Sequence, residues 1–152
     1  MSGFLLDTNV ISLLAPARNE ASAAFVTWLE EREQENGIYL SAITVHEIEK
    51  GIHLLRSRGA NAKAEMFAAW LTGLTAAYRD RILSLDTMVA RFSGELEAKA
   101  ASAGINSGAM DAMIAGTAKA YDLTVVTRNL KDFQAFGVAV ISPDVATGTD
   151  RV

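Results

Sequence analysis

At 152 residues, half of them hydrophobic and 21% charged, the chain has the composition of one globular domain large enough to bury a core, which excludes a disordered or fibrous protein. A net charge of −4 and a pI near 5.2 exclude a broadly basic face, so any contact with nucleic acid has to be made through a local site. The lack of cysteine excludes disulfides and thiolate metal sites and fits a reducing, cytoplasmic setting; no apolar run approaches the roughly 20 residues that cross a bilayer.

The chain opens on a short apolar run, Phe4 to Leu6, which ends at Asp7 and gives way to Thr8, Asn9 and more apolar residues. Asp7 cuts this run too short for a secretion signal. It is the first of five runs predicted as strands, the others being Ile38 to Leu40, Ile82 to Leu85, Thr124 to Val126 and Val138 to Ile141. Near-continuous apolar character suits a parallel sheet covered on both faces. Between these runs, apolar residues recur at three- and four-residue spacing. Phe25, Trp28 and Leu29 form one stripe, and Val45, Ile48, Ile52 and Leu55 a second. Phe67, Trp70, Leu71 and Leu74 form a third, and Val89, Phe92, Leu96 and Ala100 a fourth. Each stripe predicts a helix with one buried face; for Trp28 and Trp70 this means a place in the core. Asn36-Gly37 marks a turn, and Gly59, Gly104 and Gly137 punctuate the rest. The alternation predicts an α/β fold with a mostly parallel, roughly five-stranded sheet flanked by helices. It forms one domain over residues 1–145, with 146–152 a frayed tail.

Ligands of such sheets bind beyond the carboxyl ends of the strands. Asp7, Asp86 and the run Thr127-Arg128-Asn129 all follow strands at that edge. Each acid also has a plain structural explanation. Asp7 suits the N-cap of a helix starting near Val10, a task Thr8 or Asn9 would perform as well. Glu47, three residues after Thr44, fits a capping box, which accounts for it in full on this segment alone. The alternative has Glu47 leave the first turn and point over the sheet edge. His46 and His53 lie too far apart for paired ligands on one turn and read as surface residues, and Asp86 reads as a cap. Asp111 differs: it is the only charge in SGAMDAMIAGTA, Ser107 to Ala118, a helix apolar on nearly every side. An ionised carboxylate there is costly unless it is paired, hydrogen-bonded or bound to metal. First-turn placement returns only about 0.3–1 kcal/mol from the helix dipole, so Asp111 points to function. Asn129 and Asp132 read as turn residues after the fourth strand. There is no H-E-x-x-H, nucleophile elbow or Gly-rich phosphate loop.

As a set, LLDTNVIS, LSAITVHEIEKGI and MDAMIAGTAKAYDLTVVTRNLKDF resemble the successive acidic motifs of PIN-domain ribonucleases, over nearly the whole chain and in order. The nearest branch is the VapC/FitB type, the toxins of bacterial toxin–antitoxin pairs. The resemblance implies a PIN-like three-layer sandwich and a metal-dependent endoribonuclease that hydrolyses RNA phosphodiester bonds with metal-activated water. Asp7, Glu47 and Asp111 match the three acids that hold Mg²⁺ or Mn²⁺ in the family. Asn129 stands where some relatives carry an acid, and Asp132 lies three residues on, so the fourth position falls to one of these two. Thr127, Arg128 and Lys131 are candidate substrate contacts. On this reading Asp7 binds metal and capping passes to Thr8 or Asn9. The resemblance further implies a cognate VapB/FitA-type antitoxin, a homodimer, and a toxin–antitoxin complex that binds operator DNA through the antitoxin, with no membrane association. The physics agrees: gathered carboxylates repel one another, and hard divalent cations prefer oxygen ligands. Two other readings stand beside it. One is a catalytically inactive PIN scaffold used for protein binding; the other is a haloacid-dehalogenase-like phosphatase, whose second Asp is replaced here by Asn9.

Overall fold

Successive residues of a strand face opposite sides of its sheet, and in the first strand both sides are buried. Leu5 joins a core with Leu96, Ile114, Val125 and Phe133, whereas Leu6 joins another with Phe25, Ile38, Ile48 and Val126. A sheet buried on both faces needs a layer of helices on each, which makes three layers. The computed structural model describes residues 3–16, 18 and 20–144 and has this architecture; the expected frayed tail, 146–152, lies outside the described residues.

The strands are β1 (Gly3–Leu6), β2 (Ile38–Ser41), β3 (Ile82–Leu83), β4 (Leu123–Val126) and β5 (Val140–Ile141). All adjacent pairs are parallel, in the order β3-β2-β1-β4-β5, with Leu6 opposite Val126 in the β1–β4 pair. The helices are α1 (Thr8–Ile11), α2 (Ala23–Gln34), α3 (Ala42–Ser57), α4 (Asn61–Tyr78), α5 (Thr87–Ser102), α6 (Ala109–Tyr121) and α7 (Leu130–Ala135). Residues of α1 to α4 fill the core on the Leu6 face, and those of α5 to α7, with Ile43 at the start of α3, the core on the Leu5 face. Trp28 and Trp70 are both partly buried and packed against the Leu6-face core.

The edge strands are shorter than the apolar runs. Expected over Ile82 to Leu85, β3 ends at Leu83; Ser84 and Leu85 are exposed, and Asp86 turns to accept a 2.9 Å hydrogen bond from the Val89 amide at the start of α5. Likewise β5 holds only Val140 and Ile141 of the run from Val138. The capping box expected at Thr44 and Glu47 is absent. The N-cap of α3 is Ser41, whose hydroxyl accepts from the Ile43 amide at 3.0 Å, so α3 begins earlier and Glu47 falls in its second turn.

Two glycines fix α6. Gly108 precedes it at φ 92° and ψ 159°, a backbone state essentially closed to residues with a side chain. Gly116 faces α5 so closely that a Cβ there would lie 2.8 Å from the Ser93 nitrogen and 2.9 Å from its Cα. Asp111 sits in the first turn of this clamped helix.

Candidate active site

The strand order reverses at the β1–β4 pair: the chain proceeds outward from β1 through β2 to β3, then crosses back to β4 and β5. Connections leave such a switch point in opposite directions and open a crevice at the carboxyl ends. Asp7 follows β1 and Thr127 follows β4 at this place. Asp7 is buried. Its Oδ2 accepts the Thr127 hydroxyl at 2.8 Å, its Oδ1 accepts the Thr8 amide at 2.8 Å, and its own amide donates to the Val126 carbonyl at 2.9 Å. Asp7 is itself the N-cap of α1, which corrects the expectation that capping passes to Thr8 or Asn9. Burial raises its carboxyl above the usual range; the bonds from Thr127 and Thr8 pull it down, and the Glu47 charge pushes it up.

Glu47 reaches the same crevice from α3. Its Oε1 accepts the Thr8 hydroxyl at 2.7 Å, and that hydroxyl also lies 3.0 Å from the Thr44 hydroxyl. Asp111, half-buried on α6, is pushed up to about 6 by burial first and then by the charges of Asp7, Glu47 and Asp132. Asp132, in the first turn of α7, accepts the Asn129 side-chain amide at 2.8 Å. The Asn129 backbone amide in turn donates to the Thr127 hydroxyl oxygen at 2.9 Å. Asp7 at the end of β1, Glu47 on α3 and Asp132 on α7 thus all act on Asp111 of α6, and Glu47 acts on Asp7 as well. Among the described residues none of the four forms an ion pair with Lys or Arg.

Among the described residues, no three carboxylates or imidazoles close into a ready-made ligand cage. The donors nonetheless fit a hard divalent cation, which binds oxygen, and Mg²⁺ commonly takes one or two carboxylates while keeping several waters. Burial first, and then the charges of Asp7, Glu47 and Asp132, raise Asp111 to about 6, and such an ion would relieve the repulsion among these carboxylates.

The other sequence candidates divide. Thr127 is fully buried and its hydroxyl is engaged by Asp7 and Asn129, so its role in the structure is to hold the acids. Arg128 and Lys131 are exposed, and the Arg128 amide donates to Asn9 Oδ1 at 3.2 Å. His46 and His53 are exposed, with His53 bonded to Glu49 on the same helix face, and Asp86 is a cap. Sequence reasoning weighed Thr8 only as a cap and missed it as the support of Glu47. No local signal pointed to it, because its partner Glu47 lies 39 residues along the chain.

The family model described as PIN domain matches residues 4–138. The chain is 39% identical over 140 residues to the toxin FitB of Neisseria gonorrhoeae, a match covering 91% of this chain and 96% of that protein. It is 36% identical over 140 residues to the VapC ribonuclease Y4jK of Sinorhizobium fredii, with the same coverage of 91% and 96%. The crystal structure of FitAcB from Neisseria gonorrhoeae superposes with a TM-score of 0.78 at 38% identity, over 92% of this chain and 97% of that one.

Proposed function

This chain belongs to the PIN-domain family, and from that premise we propose that it is a Mg²⁺- or Mn²⁺-dependent endoribonuclease, the toxin of a toxin–antitoxin pair. The observation that carries the reading is that Asp7, Glu47 and Asp132 all act on Asp111 near the switch point and that, among the described residues, no Lys or Arg pairs with any of the four. Asp7, Glu47 and Asp111 would hold the metal, with Asp132, steadied by Asn129, as the fourth acid. Bound there, a divalent ion supplies an activated water and neutralises charge building on the phosphate. The protein's own share is preorganisation. Two hydrogen bonds fix the Asp7 carboxylate, the Thr8 hydroxyl fixes Glu47, and Asn129 couples Asp132 to Thr127. Arg128 and Lys131, both exposed and next to the site in sequence, would meet RNA phosphates. The likeness to FitAcB supports a FitA/VapB-type partner, and the likeness to FitAB bound to a DNA fragment supports DNA binding by such a complex; a homodimeric toxin and contact with operator DNA through the antitoxin belong to the same proposal.

Gathering mutually repelling carboxylates at one point is a cost that an inactive scaffold has no use for. The test is cleavage of bulk RNA by purified protein with Mg²⁺ or Mn²⁺, in excess chelator, and by Asp111→Asn. Cleavage that needs the ion and is lost in Asp111→Asn is the expected result. Undiminished cleavage in chelator, or no cleavage by wild type under any metal condition, would overturn the reading.

A further inference from the structure

Beyond Thr8 and Glu47 the crevice continues as a cleft of about 270 Å³ between α3 and α4, lined by neither Asp7 nor Asp111. Its far wall carries Phe67 and Trp70, whose rings meet edge to face at 6.2 Å, and Ile52 and Leu55 line its α3 side. Three cations line it as well: Arg18, Arg58 and Lys63. All three are exposed, and none forms an ion pair among the described residues. Lys63 Nζ lies 5.9 Å from the Phe67 ring centre, so one cation stands beside the aromatic wall. In a chain of net charge −4 this is a local reversal of sign, and it adjoins the acidic site through Glu47.

We infer that this cleft is a nucleotide subsite for single-stranded RNA, seating a base against Phe67 and Trp70 with its backbone phosphates near Arg18, Arg58 and Lys63. The inference rests on the nuclease reading and deepens it. Single-stranded nucleic acid is bound through aromatic faces that accept any base, beside cations that track the backbone. The charge also decides against a basic peptide as occupant, since three unpaired cations repel it while the neighbouring acids attract it elsewhere. RNA held here would run past Glu47 and lay the adjoining phosphodiester over the acids.

The chain has two tryptophans, so Trp28→Phe leaves Trp70 as the sole indole. In an Asp111→Asn background with Mg²⁺, binding of a fluorescein-labelled single-stranded RNA dodecamer is followed by anisotropy. An unlabelled copy is followed by Trp70 emission. The expected result is quenching that saturates at the affinity seen by anisotropy. The double variant Arg58→Glu, Lys63→Glu, at two exposed positions, should lose about tenfold or more in affinity. It should also flatten the plot of log K against log salt by about 0.7 per cation removed. RNA that binds without quenching, or with affinity and salt slope untouched by the charge reversal, overturns the proposal, as does RNA that does not bind. Quenching by the co-expressed antitoxin but not by RNA overturns it in favour of a protein occupant. Quenching by RNA together with a wild type that cuts none would leave the subsite standing and sink the nuclease reading alone.

Discussion

The two oxygens of Asp7 have different partners, the Thr8 amide on Oδ1 and the Thr127 hydroxyl on Oδ2, each at 2.8 Å. The hydroxyl bond joins residues 120 apart in a buried setting. Thr127→Val keeps the shape and removes the donor, so the carboxylate and the Asn129 amide both lose a partner. A cost of about 1–3 kcal/mol is expected from an unsatisfied buried group, and Thr127→Ser should restore most of it. Urea melts of the three proteins test this; a Val variant as stable as wild type would show that the bond carries nothing. Asp111 makes a second prediction, about pH. Its carboxyl is raised to about 6 from 3.8, so the folded state binds its proton more tightly than the unfolded chain. Its contribution to stability is therefore fully present below about pH 3.8 and is lost as pH rises through about 6. In chelator, wild type should gain on Asp111→Asn as pH falls from 7 toward 4.5, by on the order of 1 kcal/mol once solvent screening of a half-buried group is allowed for. A stability difference flat across that interval would mean that neither burial nor the neighbouring acids raise the Asp111 carboxyl.

At the scale of elements, the contact of α6 with α5 is set by Gly116 against the Ser93 backbone. Gly116→Ala puts a methyl into a space already filled by main chain, which cannot swing aside as a side-chain tip can. The expected cost is about 1–3 kcal/mol, the usual range for overpacking, seen as a lower urea midpoint at unchanged slope. An Ala variant with the wild-type midpoint would mean that the two helices separate freely. The helices and strands themselves were legible because burial on both faces leaves runs such as Phe4 to Leu6, and burial on one face leaves the spacing of Val89, Phe92 and Leu96. The edges were less legible: Ser84 and Leu85 extend an apolar run, yet the cap at Asp86 claims the chain before the ladder can. The same competition misplaced the α3 cap, since Ser41 ends a strand and starts a helix at once, while Thr44 and Glu47 happen to keep the box spacing. Among the candidate site residues, Asp111 stood out as a charge in an apolar helix, and the resemblance brought in Asp7 and Glu47. Thr8 as the support of Glu47 did not stand out, because a hydroxyl bond between residues 39 apart leaves no local trace.

At the scale of the whole molecule, β1 lies at the centre of the sheet, and one of its two neighbours, β4, begins only at Leu123. Residues 1–121 contain Asp7, Glu47 and Asp111 but lack β4, Thr127 and Asp132. Such a fragment leaves Leu5 and Leu6 with an open edge and the Asp7 carboxylate without its hydroxyl. It is expected to show no cooperative melt by circular dichroism and to cut no RNA; a fragment that melts sharply and cleaves would show that the second half of the sheet is dispensable. The placement of β1 also sets a clock on synthesis. With elongation at about 5–20 residues per second, Thr127 is made about 6 to 24 s after Asp7. Through that interval the growing chain is tethered to a machine built largely of RNA, while the parts of its own acidic centre are still incomplete. On the nuclease reading, a strand order that keeps the first strand waiting for the fourth would act as a safety catch on the ribosome, held until Thr127 has been made.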